Sequence, residues 1–419
     1  MLRNFRRFIT DTVQIVTHGS RYYYAWVGFL LLLIAVGSWA YIGQLNEGLI
    51  VTRMRDQVSW GFYIGNFTFL VGVAAAAIML VIPAYIYDWE PIKEITILGE
   101  MLAISALVMC LGFVMVDIGR PDRFWHIMPF VGRLNWPQSM LAWDVLVLNA
   151  YLVLNYFVVT YLLYCAYTER HYVKKLVTPL VLLSIPMAVS IHTVTAYLYN
   201  GLGARPFWNS AILAPRFLAS AFCSGPAILL ILLQVLRKTT KLSIKDEAIF
   251  KIAELMAYTM GFNLFLTAAE SFKELYSGTE HVVYFQYLLF GLKGHNTLVP
   301  YAWASILFGF VAFILFLVPK FRTNWKLLNL GCVLIYASVY IEKGMGLIIP
   351  GLTPDALGEI YVYTPSFTEI AVAAGIFAIG FLVFTLMLKA AVPMMLGEFT
   401  ISKGRKAAEP PPEADPIEA

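Results

Sequence analysis

Apolar residues in this chain neither alternate nor recur at a helical spacing; they run on. Ten such runs can be marked, over about residues 24–43, 60–87, 94–118, 142–167, 175–199, 211–236, 247–275, 298–319, 325–348 and 367–396. Each has about 20 residues or more, enough to cross a hydrocarbon layer of ~30 Å as a helix. A membrane strand needs only about half that length, and an open strand would leave its backbone unpaired in lipid. The pattern therefore predicts an all-α polytopic membrane protein with ten transmembrane helices in one membrane domain, residues 1–402. The stretch 403–419 contains Glu409-Pro-Pro-Pro-Glu-Ala-Asp-Pro and reads as a disordered cytoplasmic tail. The start, Met1-Leu-Arg-Asn-Phe-Arg-Arg, lacks the early apolar core and small-residue cleavage site of a signal peptide.

Composition agrees. The 419 residues are 60% hydrophobic and 13% charged, whereas soluble chains carry about 45–50% and 25%. A soluble enzyme, a disordered chain and a nucleic-acid-binding module are excluded. The net charge of +4 is unevenly placed. With the N-terminus inside, 20 of the 30 Lys and Arg residues fall on the inner side, which sets both termini in the cytoplasm. Outer connections near 44–59, 119–141, 276–297 and 349–366 are longer and rich in Trp, Tyr, Pro and Gly. They serve either as spacers or as a docking surface for an extracytoplasmic partner.

An internal repeat divides the ten helices. Leu98-Gly-Glu100-Met-Leu matches Ile252-Ala-Glu254-Leu-Met, Ala142-Trp143-Asp144 matches Ala302-Trp303-Ala304, and Ile191-His192 matches Ile341-Glu342. The order and spacing predict two parallel four-helix bundles, helices 2–5 (60–199) and 6–9 (211–348), flanked by helix 1 (20–43) and helix 10 (366–396). Asp144 has become Ala304 in the second copy, so chemistry is expected in the first.

Every ionisable group inside a span needs a reason, because burying it in lipid costs about 2.5–3.5 kcal/mol or more. Asp117, Asp144, His192, Glu270, Glu342 and Glu369 fall near the outer helix ends, and Glu100 and Glu254 lie about two turns in from the cytoplasm. One reading is an outer polar pocket connected inward by carboxylates. A quinone headgroup needs hydrogen-bond donors at two carbonyls and groups that exchange two protons; Asp117, Asp144 and His192 in one bundle suit that. Trp60, Tyr63, Trp125 and Trp143 would give flat walls. The other reading pairs the helix-end acids with Arg120, Arg123 or Lys343 and assigns the aromatics to interfacial belts. Glu100, Glu254, Glu270 and Glu342 are the candidates for a proton path. Only His192 of the six histidines sits well inside a span, so the chain cannot supply two haem ligands. The four cysteines lie far apart, with no CxxC pair for an Fe–S cluster or zinc, and no metal site is expected.

Asp117-Ile-Gly-Arg120-Pro121-Asp-Arg123 resembles the Asp-x-Gly-x-Pro-x-Arg signature of the NrfD/PsrC family of integral membrane subunits. Asp56-Gln-Val-Ser-Trp60-Gly-Phe-Tyr63-Ile-Gly-Asn66 and Ser139-x-x-x-Trp143-Asp144 resemble its helix 2 and helix 4 openings. The resemblance covers residues 20 to 400. The ten-helix form is similar to members from sulfate-reducing bacteria: QrcD of the Qrc menaquinone reductase complex, DsrP and HmcC. It implies a bacterial inner-membrane subunit without haem or Fe–S cluster that binds menaquinone near the extracytoplasmic face. Electrons would pass to or from a docked ferredoxin-like Fe–S subunit, itself joined to multihaem cytochrome c or molybdopterin-type subunits. By position, Trp60, Tyr63, Asn66, Asp117, Arg120, Asp144 and His192 are the quinone-site candidates, with Asp117, Asp144 and His192 catalytic and Arg120 and Arg123 bracing the rim or the partner. Proton movement across the membrane would use the four glutamates. The competing readings are a secondary transporter and a purely structural anchor; Pro186 and Pro226 are the nearest candidates for helix breaks.

Overall fold

A computed structural model describes residues 2–402 apart from 94 and 129, and its long elements are all helices. Among the described residues, ten are long and apolar enough to span a membrane: α1 (Arg21–Glu47), α2 (Phe62–Ile86), α3 (Thr96–Asp117), α4 (Met140–Tyr167), α5 (Lys174–Asn200), α6 (Leu213–Thr239), α7 (Asp246–Ser277), α8 (Val299–Leu317), α9 (Trp325–Leu352) and α10 (Phe367–Met395). The expected tail at 403–419 lies outside the described residues. Polar caps set several ends. Ser20, Ser139 and Ser366 accept backbone N–H groups in the first turns of α1, α4 and α10, and Asn324 does so for α9. Each satisfies donors that a helix start leaves open.

Neighbours in sequence are neighbours in space. α2, α3, α4 and α5 touch in succession, and α2 also meets α5; α6, α7, α8 and α9 repeat that ring, closed by α6 against α9. The rings join where α6 meets α2 and α5, and where α9 meets α2. α1 and α10 pair with each other, and that pair lies against α3. Both outlying helices thus sit on one side, rather than one beside each ring. Lipid tails give helices no hydrophobic reason to associate, so close backbone approach matters. A Cβ on Gly37 of α1 would stand 2.7 Å from the Gly375 Cα of α10. Trp26 Nε1 donates to Thr385 Oγ1 across the same pair at 3.1 Å.

Two spans are irregular. α2 tightens to a 3₁₀ turn over Ala75–Ala77 and widens to a π turn over Ile82–Ile86, around Pro83, which has no N–H to donate. α9 breaks at Gly344, where a Cβ would lie 2.6 Å from the Tyr340 carbonyl oxygen. α5 and α6 run unbroken through Pro186 and Pro226, so neither proline marks a break.

An amphipathic helix precedes the spans, Leu2–Thr17. Phe8 packs edge-on against Tyr164, Asp11 accepts the Tyr167 hydroxyl at 2.6 Å, and Phe5, Ile9 and Val13 stay exposed. Such a stripe suits the headgroup boundary. Ile401 N–H donates to the Tyr167 carbonyl at 2.8 Å, so both ends of the described chain meet one end of α4. That side is the terminal face here; the loops after α1, α3, α5, α7 and α9 form the opposite face. Replacing Gly375 by Leu should cost about 1–3 kcal/mol through overpacking. The check is a lower thermal midpoint in detergent, with Gly28→Leu, which meets nothing within 4 Å, unchanged.

Candidate functional site

The inward stripe of α4 carries Asp144, Leu148, Tyr151 and Asn155, all buried and spaced at helical intervals. That of α5 carries His192, Thr195 and Tyr199. Asp144 Oδ1 accepts the Thr195 hydroxyl at 3.0 Å. His192 Nδ1 lies 2.7 Å from the Ala188 carbonyl oxygen. A carbonyl only accepts, so the proton belongs on Nδ1, and the Nε2 of a neutral ring presents a lone pair. That Nε2 is buried without a partner, as are Tyr151 Oη and Glu100 Oε2. At 1.5 Å per residue, Asp144 and Thr195 lie about 6–8 Å in from the opposite-face helix ends, His192 about 12 Å, Tyr151 about 16 Å and Glu100 about 25 Å. The unpartnered atoms descend through one ring of helices. His192 and Asp144 do not bond each other: Thr195, one turn nearer the end, takes the carboxylate.

The other expected quinone-site residues divide. Tyr199 shares a short hydrogen bond with Thr68 of α2 and stands within electrostatic reach of both Asp144 and Asp117. Trp60 packs edge-on against Tyr199 at 5.5 Å and lies over Trp208 at 5.7 Å, covering this cluster. Tyr63 donates to Gln44 Oε1 of α1 at 2.8 Å, and Gln44 Nε2 donates to the Val116 carbonyl at 2.7 Å. Beside them Asp117 Oδ1 is buried without a partner. Asn66 faces away, accepting the Tyr340 hydroxyl of α9 at 2.8 Å. Arg120 is outside this cluster altogether, exposed and bidentate on Asp122; its guanidinium holds that carboxyl below the usual carboxylate range. Arg123 and Trp125 are exposed on the same short 3₁₀ segment, Pro121–Ile127. Trp143 Nε1 is tied to the Pro137 carbonyl.

Of the acids expected to relay protons or to pair with loop cations, Glu369 is a cap. It is fully buried, bonded by Tyr363 Oη, by Arg53 N–H at 3.0 Å and by Ser366 N–H at 2.8 Å. Tyr363 in turn accepts the first N–H of α2, from Phe62, at 2.8 Å. Glu270 and Glu342 are both bonded by Arg216 of α6, not by Arg120 or Arg123, and Lys343 reaches Glu342 at 3.0 Å. Glu254 does not enter the interior. It is partly exposed, bonded by Tyr258 at 2.9 Å and paired with Arg322 at 3.3 Å. The reason is length: α7 has 32 residues, about 48 Å, so its first two turns stand clear of a ~30 Å core. Sequence reading misses Thr195, Tyr199, Tyr151 and Arg216. Thr195 and Tyr199 share a helix face with His192 at offsets of three and seven, and Arg216 is a lone cation one turn inside a span; those are the available signals. Among the described residues no group of three His, Cys, Asp or Glu side chains is placed to hold a metal ion.

The polysulphide reductase NrfD family profile matches residues 50–354. The chain belongs to the NrfD family. It is 27% identical to a provisionally named membrane subunit of dimethyl sulfoxide reductase from Halobacterium salinarum, over 85% of this chain and 88% of the other. To the Hdr-like menaquinol oxidoreductase integral membrane subunit of Archaeoglobus fulgidus it is 24% identical, over 93% and 96%. To the integral membrane subunit of menaquinone reductase from Nitratidesulfovibrio vulgaris the figure is 22%, over 86% and 89%. Identities this close together do not rank the chain within the family.

The Glu369 cap joins α10 to the start of α2 through Tyr363. Tyr363→Phe removes a donor to a buried carboxylate and an acceptor from a buried N–H, and should cost about 2–4 kcal/mol. Thermal unfolding in detergent measures it; a midpoint equal to that of the parent would show the contact to be idle.

Proposed function

We propose that this chain is the quinone-interacting membrane subunit of a respiratory oxidoreductase complex, acting on menaquinone or menaquinol in the cytoplasmic membrane. The observation that carries the reading is the buried Asp144–Thr195 pair with the unpartnered His192 Nε2 about one turn deeper, in a chain whose relatives are named for menaquinol oxidation and menaquinone reduction. Reducing a quinone adds two electrons and two protons, turning both carbonyls into hydroxyls; oxidation reverses this. No side chain here carries the electrons. They pass to or from a partner redox subunit on the opposite face, an extracytoplasmic Fe–S protein joined to cytochrome c or molybdopterin-type subunits. The chain's own part is protonic and positional. Asp144 and His192 exchange protons with the headgroup oxygens, Thr195 orients Asp144, and Asp117 adds a carboxylate across Tyr199. Tyr151 and Glu100 extend the row of buried polar atoms toward the terminal face, which the bias of basic residues puts in the cytoplasm.

A groove of about 760 Å³ runs down the lipid side of α4 and α5 between Phe124, Val145, Val153, Leu183 and Met187. It lines the side of α4 turned away from Asp144, so the α4 backbone stands between this groove and that carboxylate. The test titrates a menaquinone analogue into the purified complex. Asp144→Asn and His192→Ala should each weaken binding or turnover roughly 5- to 150-fold, the equivalent of about 1–3 kcal/mol. Unaltered binding and turnover in both variants would sink the site.

A further inference from the structure

The helix Leu2–Thr17 has three sides. Phe8 and Ile15 turn inward, Phe8 onto the rings of Tyr164 and Tyr167 at the end of α4 and Ile15 onto the main core. Phe5, Ile9 and Val13 recur every four residues, so they share a face, and all three are exposed. Arg3 and Arg6 are exposed as well. Arg6 stands three residues from both Arg3 and Ile9, which sets a cationic edge directly along the apolar stripe. That edge is short of anions. Through residue 46 the chain carries Arg3, Arg6, Arg7 and Arg21 against a single acid, Asp11. Asp11 is already engaged, by Arg7 at 3.5 Å and by the Tyr167 hydroxyl at 2.6 Å. Arg3, Arg6 and Arg21 have no ion-pair partner among the described residues. Arg21 lies over the Tyr22 ring, and Lys389 of α10 brings a further cation over the Tyr23 ring.

The level of this helix decides what meets it. α1 has 27 residues, about 40 Å, so its ends stand beyond a ~30 Å hydrocarbon core in the headgroup layers. Tyr22, Tyr24 and Trp26 at its start are exposed, as aromatic side chains at that boundary are. The preceding helix is pinned at the same height. The Tyr23 and Tyr24 hydroxyls donate to the Val16 and Thr17 carbonyls at 2.7 and 2.8 Å, groups that a helix end leaves open. An apolar row bordered by unpaired guanidinium groups therefore faces outward where headgroups meet acyl chains. Lipid satisfies both parts: chains cover the row, and phosphate oxygens accept from the guanidinium groups. A soluble polyanion would meet the arginines and leave Phe5, Ile9 and Val13 in water. A zwitterionic headgroup brings its own cation and leaves the local excess of positive charge in place.

We infer that the Leu2–Thr17 helix is a binding surface for anionic phospholipid. The headgroup phosphate sits on Arg3 and Arg6, and the acyl chains begin against Phe5, Ile9 and Val13. Through Phe8 and Asp11 the surface braces the terminal-face end of α4. The inference stands independently of the redox reading, since no part of it requires a quinone.

The experiment places the full-length chain in lipid nanodiscs with a fluorophore on Ile9→Cys; the four native cysteines are buried. Phosphatidylglycerol or phosphatidylcholine brominated on its acyl chains is the quencher, and acrylamide reports water. Brominated phosphatidylglycerol should quench at a lower mole fraction than brominated phosphatidylcholine, and acrylamide should quench little. A fluorophore on Thr10→Cys, an exposed position on the polar side, should show the reverse order of lipid and acrylamide. Arg3→Gln together with Arg6→Gln should lower the preference for phosphatidylglycerol by up to about fivefold for each arginine, while Arg6→Lys keeps the charge and most of the preference. Both arginines are exposed, so their loss leaves folding intact. An equal preference in the parent and the double glutamine variant overturns the inference. So does a fluorophore at Ile9→Cys open to acrylamide, or one shielded from lipid and acrylamide alike, which would put protein on the stripe.

Discussion

The constraint on which this molecule depends is that a polar group inside an apolar span is costly unless something pairs with it. A polar group inside a span has no solvent to fall back on, so it either meets a group on another helix or waits for a ligand. Where it meets one, it becomes a joint. Gln44 ties α1 to α2 and α3 through Tyr63 and Val116. Ser305 and Ser338 exchange reciprocal bonds at 2.8 and 2.7 Å between α8 and α9. Arg216 fastens α6 to α7 and α9. Such bonds contribute only about 0.6–2 kcal/mol each, yet with close backbone crossings like Gly37 on Gly375 they choose which helices associate. Groups left over after this pairing, such as His192 Nε2, Tyr151 Oη, Glu100 Oε2 and Asp117 Oδ1, are the chemically informative remainder.

How much of this is legible in the sequence depends on whether the information is local. Span positions are local, because an apolar run reports its own length; the ten runs and the ten helices agree to within a few residues. The terminal amphipathic helix escapes for the same reason: Phe5, Ile9 and Val13 recur with the helical period but never form a run. Partnership is not local. Glu100 and Glu254 sit in matching sequence strings, yet Glu100 is buried and Glu254 reaches Arg322 at the rim, a difference made by the length of α7. Asp144 is recognisable as an acid inside a span, but its partner can be read only once α4 and α5 are set side by side. Arg216 falls among the loop cations because residue position alone does not say which way a side chain points.

The asymmetry of the two rings also has a physical basis. In the first, the buried polar groups bond to neutral partners, Thr195 on Asp144, Thr68 on Tyr199 and a carbonyl on His192, and leave His192 Nε2, Tyr151 Oη and Glu100 Oε2 open. In the second, cations and carboxylates are matched one for one. Under the proposed quinone reading, those open atoms are the ones a guest's own hydrogen-bonding groups would satisfy.

The joint between the rings bears on the transporter alternative. Alternating access requires one bundle to rock against the other about a site framed by paired broken helices. Here α9 is broken at Gly344, but that break lets backbone approach backbone rather than opening a path: a Cβ on Gly65 of α2 would already lie 3.2 Å from Met345 Sδ and 3.5 Å from Gly344. Immediately beside it Asn66 accepts from Tyr340, two residues before Glu342. Trp208 wedges in near the same end, its Nε1 bonded to the Leu347 carbonyl at 2.9 Å and its ring occupying the space a Cβ on Gly351 would need. Rocking would have to break all of these together in a medium that offers no replacement bonds. An electron-transfer subunit has no such requirement, since only protons and a headgroup need move. The stitching that makes this interface poor for transport keeps the row of polar groups in the first ring at a fixed distance from the charge cluster in the second.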